Sequence, residues 1–268
     1  MKTILVTGAT DGIGRETAGQ LLDRGLHVLV HGRNRAKAAA CAEELARNSG
    51  NPQVTVVWGD LSSMEQVVEL SRQVRQDAPA LDVLLNNAGV YEQRRRLTAD
   101  GFETTMAVNH FAPYLLTRLL GPALSAGPMG RVVTVSSIAH QSGDLDLDDL
   151  TFARSYDGYD AYAASKLANV LFTRALARRL AGSTVTANTL HPGVIDTKLL
   201  HAGFDIKGAP VADGARTSVY LATSEDVASV SGAYFIDCRE KTPSRRARDD
   251  RLADSLWVES ERLLGRFL

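Results

Sequence analysis

Short runs of β-branched and aliphatic residues alternate with longer amphipathic stretches along the chain, and this rhythm limits the fold more than any other feature. The runs are Thr3–Thr7, His27–Val30, Val54–Trp58, Val83–Leu85, Val132–Val135, Val185–Thr189 and Tyr234–Ile236. Several are apolar at consecutive positions, as strands must be when both faces of a parallel sheet are covered. Helical patterns fall between them, near Ile13–Arg24, Arg35–Asn48, Met64–Ala78, Gly101–Leu120, Ala161–Ala181 and Gly214–Ala222. No linker or internal repeat interrupts the alternation, which predicts one doubly wound α/β domain over residues 1–268. Its sheet is expected to be seven-stranded and mostly parallel, with helices on both faces. Two stretches break the rhythm. Residues 138–160 carry an acidic run, Asp144 to Asp149, followed by aromatics, and residues 198–212, rich in Gly and Pro, read as a loop over one edge. Beyond Ser244, Leu252, Leu256, Leu263 and Leu264 recur at roughly helical spacing, so a docked helical tail is expected over about 245–268.

Composition narrows the partners. With 30 basic and 31 acidic residues the net charge is −1, which argues against nucleic acid. Cys41 and Cys238 lie far apart and lack metal-ligand spacing, so they read as free thiols in a reducing compartment, and no metal is expected. Strand-like sequence begins at Lys2, leaving no room for a signal peptide, and no apolar run approaches the ~18 residues that span a bilayer. The expectation is a cytoplasmic protein without a membrane anchor.

Thr7-Gly8-Ala9-Thr10-Asp11-Gly12-Ile13-Gly14 follows the first run and opens the first helical pattern. Glycines there let backbone approach a pyrophosphate, and the helix N-terminus offers N–H donors. The spacing is G-x-x-x-G-x-G, and alone it is equally a tight strand–helix turn. Its place after the first strand points to a dinucleotide and a Rossmann-type fold. The end of the second strand reads His31-Gly32-Arg33. It has no carboxylate for the ribose hydroxyls of NAD and has a guanidinium for a 2′-phosphate, so NADP(H) is favoured over NAD(H). A lone Arg at a helix start is otherwise a surface residue. Asp60, followed by Leu61, reads as a partner for the adenine amino group or as a turn residue.

Tyr162 and Lys166 stand four residues apart in a helical pattern, on one face and one turn apart. A nearby positive charge favours phenolate, so such a tyrosine can act as a general acid or base. Ser137, second of the Ser136-Ser137 pair, ends the fifth strand at the edge where open α/β sheets hold ligands. Its hydroxyl would hold a substrate oxygen or cap a turn.

Together these motifs resemble the short-chain dehydrogenases/reductases. The resemblance rests on the glycine run at 7–14, Asn86-Asn87-Ala88-Gly89, Asn109, Ser137, Tyr162, Lys166 and Pro192-Gly193, and runs from residue 2 to about residue 238. Gly12-Ile13-Gly14-Arg15-Glu16-Thr17-Ala18, Val108-Asn109-His110-Phe111, Ser165-Lys166-Leu167-Ala168-Asn169 and His191-Pro192-Gly193 resemble the retinol dehydrogenase and protochlorophyllide reductase branch.

The resemblance implies hydride transfer between nicotinamide and a small carbonyl or alcohol. Tyr162 would give its proton to the carbonyl oxygen and Ser137 would hydrogen-bond it. Lys166 would bind the nicotinamide ribose and lower the tyrosine pKa, and Asn109 would hold a water leading to solvent. Gly8, Thr10, Asp11, Gly12, Ile13 and Gly14 would cradle the cofactor with Arg33, Asp60 and Leu61 at its adenosine end. Asn87, Ala88 and Gly89 would line it beside the ribose, and Pro192, Gly193, Ile195 and Thr197 would meet its carboxamide and pyrophosphate. Asp11 departs from the basic residue of many NADP-using relatives. Membrane-bound retinol dehydrogenases carry an apolar anchor before their first strand, which is not seen here. The resemblance also allows a homo-oligomer through helices near 101–120 and 161–181. Two other readings stay open: a silent NADP(H)-sensing protein, and a structural partner acting through the acidic run and tail. The intact Asn109, Ser137, Tyr162 and Lys166 set favours turnover.

Overall fold

The structure is a computed structural model that describes residues 1–268. Its strands are β1 (Thr3–Val6), β2 (His27–Gly32), β3 (Val54–Trp58), β4 (Val83–Asn86), β5 (Gly130–Val135), β6 (Val185–His191), β7 (Tyr234–Ile236) and β8 (Arg239–Lys241). They form one sheet in the order β3-β2-β1-β4-β5-β6-β7-β8. All neighbours are parallel except β7 and β8. Because β1 lies between β2 and β4, the connections leaving β1 and β4 diverge and open a crevice at their carboxyl ends.

Successive strand residues face opposite sides of the sheet, and both sides are covered. Leu5, Leu84 and Val132 enter the larger core with α3 (Met64–Asp77), α5 (Ala112–Ser125) and α6 (Gly158–Arg179). Val6, Leu85 and Val133 enter the smaller one with α1 (Gly12–Leu22), α2 (Arg35–Ser49) and α8 (Val211–Thr223). Helices begin where a side chain can take their free N–H groups. Asn34 Oδ1 accepts from Lys37 at 3.0 Å to start α2, and Asp157 Oδ1 accepts from Tyr159 and Asp160 to start α6.

Three expectations need correction. The sheet has an eighth strand, β8, whose three residues are charged and exposed and so lack the apolar signature of the others. A two-residue reversal at Asp237 and Cys238, both at positive φ, folds it back on β7 as an antiparallel edge. The segment 198–212 is not all loop. It holds α7 (Lys198–Gly203), begun by Thr197, whose hydroxyl accepts from the Leu200 N–H. The helix expected over Gly101–Leu120 is divided into α4 (Thr104–Met106), a π turn over Ala107–Phe111, and α5, which runs on to Ser125. Pro113 gives the reason. It has no N–H for the Asn109 carbonyl, and the preceding Ala112 N–H reaches five residues back to Ala107.

The chain ends in α9 (Asp250–Leu264), which lies over α5 and α6. Trp257 stacks on Phe172 at 6.0 Å and meets Tyr114 edge-on at 5.0 Å. Asp250 accepts from Arg174 and Arg178, and Asp254 from Arg178 and Arg179. The face of α5 and α6 through which the resemblance allows an oligomer is thus partly covered by the chain's own tail. No helix is long and apolar enough to cross a membrane.

Candidate active site

The carboxyl ends of β1 and β4 are tied together before any ligand is considered. The Thr7 hydroxyl accepts the N–H groups of Asn87 and Ala88 at 2.9 and 3.0 Å, and the Asn87 amide donates back to the Thr7 carbonyl at 2.8 Å. His31, buried at the end of β2, accepts the Gly8 N–H through Nδ1 at 3.1 Å and reaches the Gly59 carbonyl through Nε2 at 3.0 Å. Gly8 has φ +66 and Gly12 φ +51, a region that side chains disfavour. A Cβ at Gly14 would stand 2.3 Å from the Gly8 carbonyl oxygen and 2.4 Å from Asn87 Nδ2. The loop therefore presents bare backbone at the N-terminus of α1, a cradle suited to a pyrophosphate.

At the far end of this crevice Arg33 is exposed on its rim, and Gly32 leaves room for Thr10, whose Cγ2 would lie 2.5 Å from an added Cβ. A second cation is nearby, the Arg35 guanidinium 4.5 Å over the Trp58 ring. Asp60 holds a turn, its Oδ1 accepting from the N–H and hydroxyl of Ser62, and it also lines the cleft. Asp11 does not stand as a bare negative charge: Lys198 pairs with it across the crevice and holds its carboxyl below the usual range.

The reacting end gathers residues from three elements. Ser137 follows β5, and its neighbour Ser136 donates to the Lys166 carbonyl at 2.7 Å, locking that strand end to α6. Tyr162 and Lys166 project from α6, with the Lys166 Nζ 5.5 Å from the Tyr162 ring centroid and 3.3 Å from the Val135 carbonyl. Burial pushes the Tyr162 phenol up to about 12, against the pull of the nearby Ser137 hydroxyl. Burial likewise pushes the Lys166 ammonium down to about 8. The phenol thus lies above its ordinary value, not below it as Lys166 was expected to bring it, because a phenolate cut off from water is costly.

Asn109 sits in the π turn and is fully buried. Its amide donates to the Val90 carbonyl at 3.0 Å and the Ser165 hydroxyl at 2.9 Å, and its Oδ1 accepts the Val90 N–H at 2.8 Å. The side chain is thereby committed to holding the segment after β4. Its main-chain carbonyl finds no N–H four residues on, where Pro113 stands.

One continuous cleft of about 630 Å3 runs from Arg33 and Asp60 past the glycine loop to Lys166 and Phe204. Asn87, Ala88, Gly89, Pro192, Gly193, Ile195 and Thr197 line its middle, with Thr10, Ile13 and Leu61 toward the adenosine end. Ser137 and Asn109 stand just behind that wall. An aromatic group closes the reacting end and was not read from the sequence. Phe204 lies 5.6 Å from Tyr91, 6.0 Å from Tyr159 and 6.2 Å from Tyr162. Leu199, Leu200 and Val108 add apolar wall. Residues 139–160 contribute to this rim through Tyr159, while most of the acidic run lines a separate depression. Only the proximity of Tyr91 to the Asn87–Gly89 motif could have flagged this group in advance.

The family profile described as short chain dehydrogenase matches residues 2–205. Human (Homo sapiens) retinol dehydrogenase 14 is 41% identical, over 98% of this chain and 86% of its own. A protein of known structure from Mycobacterium paratuberculosis superposes with a TM-score of 0.84 at 35% identity, covering 99% of this chain and 94% of its own. A short chain dehydrogenase from Escherichia coli CFT073, solved in complex with NADPH, superposes with a TM-score of 0.74 at 27% identity, covering 89% of this chain and 97% of its own.

Proposed function

The chain belongs to the short-chain dehydrogenase family and is an oxidoreductase that interconverts an alcohol and a carbonyl, and on that premise we propose that it is an NADP(H)-dependent reductase of apolar aldehydes or ketones working through Ser137, Tyr162, Lys166 and Asn109. The carrying observation is the meeting of the buried Tyr162 phenol, the nearby Ser137 hydroxyl and the buried Lys166 ammonium beyond the end of β5, beside a bare-backbone cradle. A bound nicotinamide supplies the hydride, and that chemistry is the cofactor's own.

The protein's part is position and proton flow. Gly8, Gly12 and Gly14 leave the N–H groups of the α1 terminus open to the pyrophosphate. Arg33, with Arg35 beside it, offers charge-assisted donors to a 2′-phosphate, and Lys198 offsets part of the repulsion Asp11 alone would exert. A phenol that keeps its proton through neutral pH suits donation to a carbonyl oxygen as that oxygen gains charge. The Ser137 hydroxyl donates to the same oxygen and stabilises it. Lys166 holds the ribose, and water at the Asn109 carbonyl returns protons from solvent. Tyr91, Tyr159 and Phe204 favour a substrate with an apolar or aromatic body.

The test is a panel of aliphatic and aromatic aldehydes, ketones and alcohols, followed by absorbance at the reduced-cofactor band with NADPH and with NADH. Turnover of apolar aldehydes faster with NADPH is expected. A panel turned over only with NADH overturns the cofactor assignment, and cofactor binding without any turnover favours the silent sensor.

A further inference from the structure

Ser137 is the first residue beyond the β5 ladder, whose last bond is the Ser136 N–H to the Leu190 carbonyl at 2.7 Å. Its backbone is extended, at φ −159 and ψ 163, and the chain turns immediately into a short helical turn over Ile138–Gln141. The Ser137 hydroxyl accepts the Ala139 N–H of that turn at 3.2 Å, so its direction depends on how the turn is set by the peptide plane that joins Ser137 to Ile138. Both polar atoms of that plane are held by a histidine. His140 donates from Nδ1 to the Ser137 carbonyl at 2.7 Å. His191, at the end of β6, accepts the Ile138 N–H on its Nδ1 at 3.2 Å.

The two rings cannot exchange roles. The His140 Nε2 accepts the Ser244 N–H at 3.1 Å, so its proton sits on Nδ1. The His191 Nδ1 is an acceptor, so its proton sits on Nε2. His140 is fully buried and packs edge-on against Tyr234 at 4.9 Å, and His191 is buried at the strand end. One ring is thus anchored to the segment after β8 and the other to the sheet, and they grip the peptide from opposite edges.

We propose that His140 and His191 are positioning residues, a pair of neutral histidines in opposite tautomers that clamp the Ser137–Ile138 peptide and so aim the Ser137 hydroxyl at the reacting oxygen. This rests on the reading of Ser137 as the donor to that oxygen. A displaced hydroxyl loses turnover while leaving the cofactor cradle intact, since neither ring lines the glycine loop.

The experiment measures kcat with nonanal and benzaldehyde, and NADPH affinity by titration, in five variants. Ser137→Ala should lower kcat about a hundredfold, the cost of losing an oxyanion donor. His191→Leu should lower it about tenfold to a hundredfold, as misplacement of a catalytic group does, with the NADPH Kd changed less than about twofold by the same reasoning. His191→Asn, whose amide oxygen can accept where Nδ1 did, should recover most of that loss, and His140→Asn, whose amide N–H can donate where Nδ1 did, should keep most of the parent kcat. Ser137→Ala/His191→Leu should turn over like Ser137→Ala alone, because the clamp acts through that hydroxyl. Additive losses in the double variant, or no rescue by Asn, overturn the clamp while the Ser137 role stands. Parent turnover in Ser137→Ala overturns that role itself. Nitrogen-15 spectra of labelled parent protein check the geometry without any variant: opposite neutral tautomers at His140 and His191 are expected, and the same tautomer at both overturns the proposal.

Discussion

At Tyr162 and Lys166, burial sets the chemistry as much as charge does. The phenol keeps its proton and the ammonium is held near the point of losing one, which suits a relay that ends in donation. The residue types and spacings that carry this were legible in the sequence, because they are local: Tyr162 and Lys166 lie one helical turn apart, and Ser137 ends a strand. What the spacing could not give was the cost of taking the phenol out of water. Nor could it give the partner of Asp11, since Lys198 lies 187 residues further along the chain. That pair bears on cofactor choice. With Asp11 paired to Lys198, Arg33 is the main reader of a 2′-phosphate, and a charge-assisted hydrogen bond contributes about 1.5–3 kcal/mol. Arg33→Ala should weaken NADPH binding roughly tenfold to a hundredfold on that scale and leave NADH binding nearly unchanged. Calorimetric titration with both cofactors checks this, and equal losses for the two contradict it.

Among the elements, those with apolar runs were readable and those held by context were not. The seven apolar strands announce themselves, whereas Arg239–Lys241 becomes a strand only because Asp237 and Cys238 turn it back on β7. The segment 198–203 becomes helical because Thr197 caps it. The division of the helix around Asn109 was written in the sequence, as a proline four residues on, but Asn109 drew attention for its side chain. The structure shifts the interest to its carbonyl. Pro113→Ala would restore an N–H within reach of that carbonyl and relax the π turn toward an α-helix. Thermal stability should hold or rise, while kcat for an apolar aldehyde falls several-fold, about the cost of weakening a proton path. Melting curves and steady-state rates on the same preparations decide it, and unchanged kcat contradicts a role for the carbonyl.

For the whole molecule, the alternation of strand and helix was enough to give the doubly wound architecture, but the cleft joins residues from both halves of the chain and could be seen only folded. The same burial that ties its parts together makes the fold sensitive to acid. His31 is held down to about 4 and His110 to about 3, both from an ordinary value of 6.5 and both by burial. Above pH 6.5 neither state needs to take up these protons, so the full stability is present. As pH falls from 6.5 toward 4 the unfolded chain gains protons that the folded chain refuses, and stability drops by about 1.4 kcal/mol per histidine per unit. Urea midpoints should therefore be lower at about pH 5 than at about pH 7, and equal midpoints contradict the buried-neutral assignment. The central claim is that the Tyr162 phenol delivers the proton in a carbonyl reduction. It is tested most directly by single-turnover kinetics of parent and Tyr162→Phe, each loaded with NADPH and mixed with nonanal. Tyr162→Phe should bind NADPH with the parent's affinity yet oxidise it at least ~10² more slowly, and a single-turnover rate equal to the parent's would contradict the claim.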